Sequence, residues 1–133
     1  MSGISVISAE MATKEVTAWL DFKKVKESTR VNYKDTISAL SDALKDGYLI
    51  LNEDKSFTQK LFFPIGNGGE VKELVFQPRV TVGALKLNTS GASTGDARII
   101  GTIAALTGKP KNIIEAMDSE DYNTSGLIAL FFL

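Results

Sequence analysis

The sequence predicts an α+β fold, with N-terminal helices, then a small antiparallel β-meander, then a C-terminal helical bundle. Changes of hydrophobic period predict this order. Apolar residues repeat at helical spacing up to residue 45, alternate with polar residues between residues 48 and 77, and return to helical spacing from residue 97. At 44% apolar residues, a chain of 133 residues can bury a core without metal or disulfide, so we predict one domain over residues 1–133.

Two helices are predicted before the meander. The first covers residues 14–24 and follows Thr13, a good N-cap residue. The second covers residues 29–45, follows Ser28 as its cap, and ends before Gly47, which supplies the left-handed position that commonly closes a helix. Their apolar faces comprise Val16, Trp19 and Leu20 in the first helix, and Tyr33, Ile37, Leu40 and Leu44 in the second.

A meander of two or three antiparallel strands follows. Residues 48–51 form a short β-like run, residues 57–63 a second strand and residues 71–77 a third, which ends at Pro78. Glycines in residues 66–69 give a strong turn signal between the last two. In the second strand we place Phe57, Leu61 and Phe63 on one face and Thr58, Lys60 and Phe62 on the other; in the third, Leu74 and Phe76 alternate against Glu73 and Val75.

The C-terminal part is predicted to be helical. A short helix over residues 81–87, with Leu85 and Leu87 as apolar anchors, precedes a small-residue loop over residues 88–95. Asp96 is the expected cap of a helix over residues 97–106. Its apolar residues are Ile99, Ile100, Ile103 and Leu106, and Gly108 closes it. Pro110 opens a short helix to Met117, and Asp118 or Ser119 caps the last helix.

The last seven residues, 127–133, contain no polar side chain. Burying one Phe or Leu stabilises a protein by roughly 1.5–3 kcal/mol, so this run is too apolar to leave in water. It must be covered by its own domain, by a second copy or by an apolar partner. We expect burial within the fold, which is compatible with an additional role of this end in binding a partner.

Composition excludes several classes of function. The chain contains no cysteine and no histidine, so ordinary zinc sites, thiol chemistry and Ser-His nucleophiles are excluded, and no cofactor motif is present. A net charge of −1 gives no general attraction for nucleic acid. The opening residues lack a secretory signal, and the apolar end is far shorter than the roughly 20 residues of a membrane span. We expect a non-enzymatic, cytoplasmic protein.

Three local features have a functional interpretation and a simpler one. Residues 89–96 precede a helix as a phosphate loop does, but the Gly-Lys-Ser/Thr signature is missing and Asp96 would repel phosphate. The helix–helix–hairpin order of residues 13–63, together with a basic cluster, suggests a winged-helix DNA reader. The predicted second helix, however, also carries acidic residues, which would repel the DNA phosphates. The basic residues are Lys23, Lys24, Lys26, Arg30 and Lys34, and the acidic ones are Asp35, Asp42 and Asp46.

The carboxylates Asp118, Glu120 and Asp121 suit a cation or an acid/base pair, but helix capping already explains them.

Four segments in the second half of the chain stand in a characteristic order. They are residues 62–65 (FFPI), 71–79 (VKELVFQPR), 103–110 (IAALTGKP) and 114–122 (IEAMDSEDY). This order resembles the tail assembly chaperones of Mu-type phages, in which a k-e-L-x-F-r-x-P strand leads to a helix ending L-T-G-L-P and then to an I-x-x-L-d-x-e-D-y start of the last helix. The resemblance covers residues 57–133. Residues 1–56, a helical module with the first short strand, have no counterpart in the short family members, and Lys109 replaces a residue that is often apolar.

The resemblance implies a chaperone that coats the helical tape-measure protein and keeps it soluble until tube subunits polymerise around it. The implied partner is the tape-measure protein, with the tail-tube protein as a second candidate; no nucleic acid, membrane or cofactor is implied, and homo-oligomerisation is left open. Such a protein acts in the cytoplasm of the bacterial host and is not expected in the mature virion. The residues expected to bind the partner are Leu127, Leu130, Phe131 and Phe132, with Ile99 and Ile103 as neighbours.

Two alternatives stay open. A structural phage component, of the tail or of the head–tail joint, shares the small size and mixed α+β content. A winged-helix-like DNA-binding regulator using residues 13–63 is the third hypothesis.

Overall fold

The computed structural model describes residues 7–133. Its helices are α1 (Ala9–Phe22), α2 (Glu27–Asn32), α3 (Lys34–Lys45), α4 (Val82–Thr89), α5 (Gly95–Thr107), α6 (Lys111–Glu115) and α7 (Ser119–Ala129), and its strands are β1 (Leu49–Leu51), β2 (Phe57–Ile65) and β3 (Val71–Phe76). A 3₁₀ turn, Leu130–Phe132, follows α7. The predicted α+β class and antiparallel meander are confirmed. Residues 1–6 lie outside the described residues, and so does the prediction that they lack a secretory signal.

The first helix begins earlier than predicted. Ser8 is its N-cap, and its side chain accepts a hydrogen bond from the Met11 N–H at 3.1 Å. Thr13, the predicted cap, lies inside α1, where its hydroxyl donates to the Ala9 carbonyl at 3.0 Å. Ser and Thr are both good caps, and the residues between them are mostly good helix formers, so the helix extends to the earlier one.

The second predicted helix is divided into α2 and α3. Tyr33 separates them with φ −107° and ψ 27°, outside the helical region. Lys26 rather than Ser28 precedes the first turn of α2. The prediction of one continuous helix was wrong because Val31 and Asn32 are weak helix formers just before this break. The end at Gly47 is confirmed: its φ is 85°, and the Tyr48 N–H donates to the Ala43 carbonyl at 3.0 Å.

The sheet has the order β1-β2-β3, with both pairs antiparallel. The glycine turn is confirmed, since the Gly69 N–H donates to the Gly66 carbonyl at 3.0 Å and both glycines have positive φ. The predicted faces of β2 fail beyond Lys60, where the β2–β3 register shifts. Phe63 is 57% exposed instead of buried, because such an irregularity re-aims the side chains that follow it.

Helix α4 packs against α5 at a point that only glycine allows. A Cβ on Gly101 of α5 would lie 2.3 Å from the Asn88 carbonyl oxygen of α4. Two predictions for this region were wrong. Thr94, not Asp96, caps α5 by accepting the Ala97 N–H at 3.0 Å. Leu87 does not anchor α4, since it is 80% exposed.

The core joins both halves of the chain. Trp19 of α1 packs on Phe57 of β2, with ring centroids 4.9 Å apart. The other large apolar side chains that are fully buried come from α3, the sheet, α5, α6 and α7: Leu40, Leu44, Leu49, Leu74, Phe76, Ile103, Leu106, Ile114 and Ile128. Asp118 caps α7 as predicted, accepting the Glu120 N–H at 3.0 Å, whereas Pro110 lies just before α6 rather than in its first turn.

The close approach at Gly101 gives a test of the α4–α5 contact. We expect Gly101→Ala to lower the free energy of unfolding by about 1–3 kcal/mol, because the added methyl group collides with backbone. Gly126→Ala is the matched control, since that glycine of α7 has open space around it. The control should be neutral or stabilising by up to about 1 kcal/mol. Urea denaturation of both variants measures this, and equal stabilities would contradict the contact.

Candidate functional site

The apolar end of the chain lies against α1 and against Tyr33, the residue between α2 and α3. Phe131 packs edge-on against Trp19 and Tyr33, with ring centroids 5.5 Å and 5.4 Å away, and Phe132 lies 6.3 Å from Trp19. Ile128 and Ala129, just before the 3₁₀ turn, are fully buried. The domain therefore covers most of this run itself, as expected, while Leu133 stays 53% exposed.

The six residues expected to bind a partner do not form one surface. Leu130 and Phe131 border an open groove, and Phe132 borders a smaller depression beside it. Leu127 is partly buried against the core. Ile103 is fully buried and Ile99 is packed against the core, so α5 does not bring these two side chains to the groove.

We call the open groove beside the 3₁₀ turn the basic groove. It has a volume of about 580 Å³. Its apolar part comes from Val25, Tyr33, Leu130, Phe131 and Leu133, and its polar part from Lys23, Lys26, Thr29 and Asn32. Lys23 and Lys26 belong to the connection between α1 and α2, which lies beside the apolar end of the sequence, so the groove combines apolar surface with positive charge.

Lys23 occupies the boundary between this groove and its smaller neighbour. Its ammonium lies 3.4 Å from the centroid of the Phe132 ring and 5.7 Å from that of Trp19, a cation–π arrangement. Burial, and then the positive charge of Arg79, lower the pKa of Lys23 from 10.5 to about 8. Arg79 itself lines the smaller depression with Phe132. Together with Lys26 of the basic groove, Lys23 and Arg79 place three cations beside the 3₁₀ turn.

The basic cluster noted in the sequence is not one uniform face. Lys23 stacks on aromatic rings, while the guanidinium of Arg30 donates to the Val25 carbonyl at 3.0 Å and pairs with Asp21 at 2.9 Å. Two of its five members are therefore committed to intramolecular contacts. No specific feature of the cluster favours DNA.

A second surface, which the sequence did not predict, lies between α5, α6 and α7. Two adjoining depressions of about 410 and 360 Å³ share Asp96, Ile100 and Glu115, and we call them together the acidic groove. Tyr122 also lines it, and its hydroxyl is the one buried side-chain polar atom without a hydrogen-bond partner in residues 7–133. Burial, and then the charge of Asp96, raise the pKa of Tyr122. Asp96 and Glu115 are far apart in sequence, so no local pattern indicated this groove.

The acidic residues at the start of α7 have structural roles. Asp121 has no exposed surface, and its carboxylate accepts the N–H groups of Phe62 and Phe63 at 2.9 and 3.0 Å. Its carbonyl accepts Gln59 Nε2 at 2.9 Å, and the Ser125 hydroxyl donates to the other end of that amide. Within residues 7–133, no three acidic side chains are grouped to hold a metal ion.

Comparison with known proteins gives no family assignment. No family model, curated protein or solved structure matches the chain. Among the helices of residues 7–133, none has the length and apolar character needed to cross a bilayer. The two grooves are therefore the features from which a function can be argued.

Removing the charge of Asp121 tests its structural role. We expect Asp121→Asn to lower the free energy of unfolding by about 1.5–3 kcal/mol, because two backbone donors lose a charged acceptor. Glu120→Gln is the matched control: it removes the same charge one residue earlier, where the side chain is exposed. The control should cost no more than about 1 kcal/mol. Equal losses in urea denaturation would show that only the charge at the helix start matters.

The lowered pKa of Lys23 predicts a specific pH dependence. Between pH about 8 and 10.5 the unfolded chain holds the Lys23 proton and the folded chain has released it. Stability therefore rises with pH in that window through this group. Relative to Lys23→Met, the wild type should gain stability from about pH 7.5 to about pH 9.5. Tyr122 and the other titrating groups are common to both proteins, so parallel stability curves would contradict the shift.

Proposed function

We propose that this protein is a phage tail assembly chaperone that binds amphipathic helical segments of the tape-measure protein and keeps that protein soluble during tail assembly. The observation that carries the proposal is the basic groove, an open apolar surface bordered by Lys23 and Lys26. The ordered motifs of residues 57–133 supply the identity of the partner, through their resemblance to Mu-type tail assembly chaperones. The role is non-enzymatic, in the cytoplasm of the host, and ends before the virion is complete.

The composition of the groove defines the segment that it would accept. An amphipathic helix docks through side chains at i, i+3, i+4 and i+7, which here would contact Leu130, Phe131 and Tyr33. Acidic residues beside that apolar stripe would lie near Lys23 and Lys26, which favours correct orientation and rapid association. We therefore expect the bound segments to be acidic amphipathic helices.

Co-expression with the long, helix-rich protein encoded immediately downstream tests the function. The wild type should keep that protein soluble and co-purify with it in many copies. If the downstream protein stays insoluble and nothing co-purifies, the chaperone proposal is wrong.

Charge reversal at the rim tests the site. We expect Lys26→Glu to reduce co-purification severalfold, because Lys26 lines the groove and repels a basic partner while attracting an acidic one. Lys24→Glu is the matched control, since Lys24 is exposed nearby but does not line the groove. Equal reductions by the two variants would indicate a general charge effect and would contradict this site.

A structural component of the tail or the head–tail joint is the second candidate. The observation that favours it is the amount of apolar surface outside the basic groove, including Phe63, Val82 and Leu87, which a permanent assembly would cover. Mass spectrometry of purified virions distinguishes the two: a structural component persists in the particle and a chaperone is absent from it.

A further inference from the structure

Helix α4 has an apolar face that the rest of the domain leaves uncovered. Val82 is 70% exposed and Leu87 is 80% exposed. At 3.6 residues per turn, Val82, Lys86, Gly83 and Leu87 fall within one arc of about 140°. All four are exposed, while Leu85, Asn88 and Thr89 on the other side are partly buried, toward α5. A Cβ added to Gly83 would meet nothing outside the helix backbone within 4 Å, so another surface can approach the middle of this face closely.

The acidic groove lies next to α4 on the surface of α5. The groove begins at Ser90, one residue after α4 ends, and it includes Ile100, the neighbour of the α4 contact residue Gly101. Successive helical residues are about 100° apart, so α5 presents α4 and the groove on adjoining sides. The α4 face and the groove are therefore on the same part of the molecule.

The groove matches the α4 face in chemistry. Its apolar surface comes from Ile100 and Met117, since Ile114 is only 1% exposed, and its charges are Asp96 and Glu115, with Lys111 at one edge. Neither acidic residue forms a salt bridge within residues 7–133, and neither does Lys86. The α4 face is apolar with a lysine at its centre. The acidic groove is apolar with two unpaired carboxylates, so the two surfaces are complementary.

We propose that two copies of this chain form a two-fold dimer in which the exposed face of α4 in each copy docks into the acidic groove of the other. Val82 and Leu87 would pack on Ile100 and Met117, and the Lys86 ammonium would lie between Asp96 and Glu115.

A second copy is the favoured occupant because both complementary surfaces belong to one chain and lie side by side. Under two-fold symmetry the same contact is then made twice, and no surface is left to propagate a filament.

Sedimentation equilibrium of the full chain alone tests the dimer, up to roughly 1 mM protein. The wild type should reach twice the monomer mass, and Leu87→Glu should weaken dimerisation by at least about tenfold. Val31→Glu is the control, since Val31 of α2 is also exposed and lines neither groove. A wild type that stays monomeric throughout, or a dimer that Leu87→Glu leaves intact, overturns the proposal.

Charge exchange makes the test independent of folding defects. Lys86→Glu should weaken the dimer, and adding Glu115→Lys to it should restore dimerisation, because the pair of charges is reversed. A double variant that stays as weak as Lys86→Glu, while folded by circular dichroism, overturns the pairing. A dimer that Phe63→Glu abolishes instead would place the interface on the sheet. None of these measurements involves the tape-measure protein, so their failure is separate from failure of the proposed function.

Discussion

Phe62 and Phe63 lie where β2 loses its regular register with β3, and both of their N–H groups donate to the carboxylate of Asp121. β1 pairs only with the first residues of β2, so this stretch of edge has no strand beside it on the β1 side. A carboxylate can accept two backbone donors at once, which a neutral side chain does less well. Asp121 therefore satisfies the irregular edge, blocks it against pairing with another chain, and ties α7 to the sheet.

The position of the basic groove follows from that attachment. Gln59 of β2 adds to the attachment of α7 to the sheet, because the Gln59 amide donates to the Asp121 carbonyl and accepts from the Ser125 hydroxyl. With the start and middle of α7 held on the sheet, its buried end delivers Phe131 and Phe132 to Trp19. The ring of Trp19 also packs on Phe57 of β2, so the same side chain links sheet, α1 and the 3₁₀ turn. The basic groove is the surface beside the 3₁₀ turn that this packing leaves uncovered.

Local signals in the sequence predicted most helices and strands. The features that they did not predict depend mainly on contacts between distant parts of the chain. The glycine turn, the alternation in β3, the closure at Gly108 and the cap at Asp118 depend on residues close together in sequence, and these predictions were correct. The exposure of Phe63 depends on the register shift between β2 and β3, which no local pattern shows. The break at Tyr33 follows weak helix formers that the periodicity of the apolar residues did not take into account. Asp121 was interpreted as a helix-start charge because its partners lie about sixty positions earlier. The acidic groove was missed for the same reason, since its carboxylates come together only through packing of α5 on α6.

A net charge of −1 conceals two surfaces of opposite sign. The basic groove favours an apolar segment bordered by acids, and the acidic groove favours one bordered by bases. The two grooves share no lining residue, so occupation of one leaves the other open. A dimer closed at the acidic grooves would hold two basic grooves at a fixed separation. A long helical partner with repeated acidic segments would then bind the second groove at raised effective concentration, which strengthens attachment without any new kind of contact. Under the proposed chaperone function, self-association would let each groove bind weakly and still hold the partner until it is released.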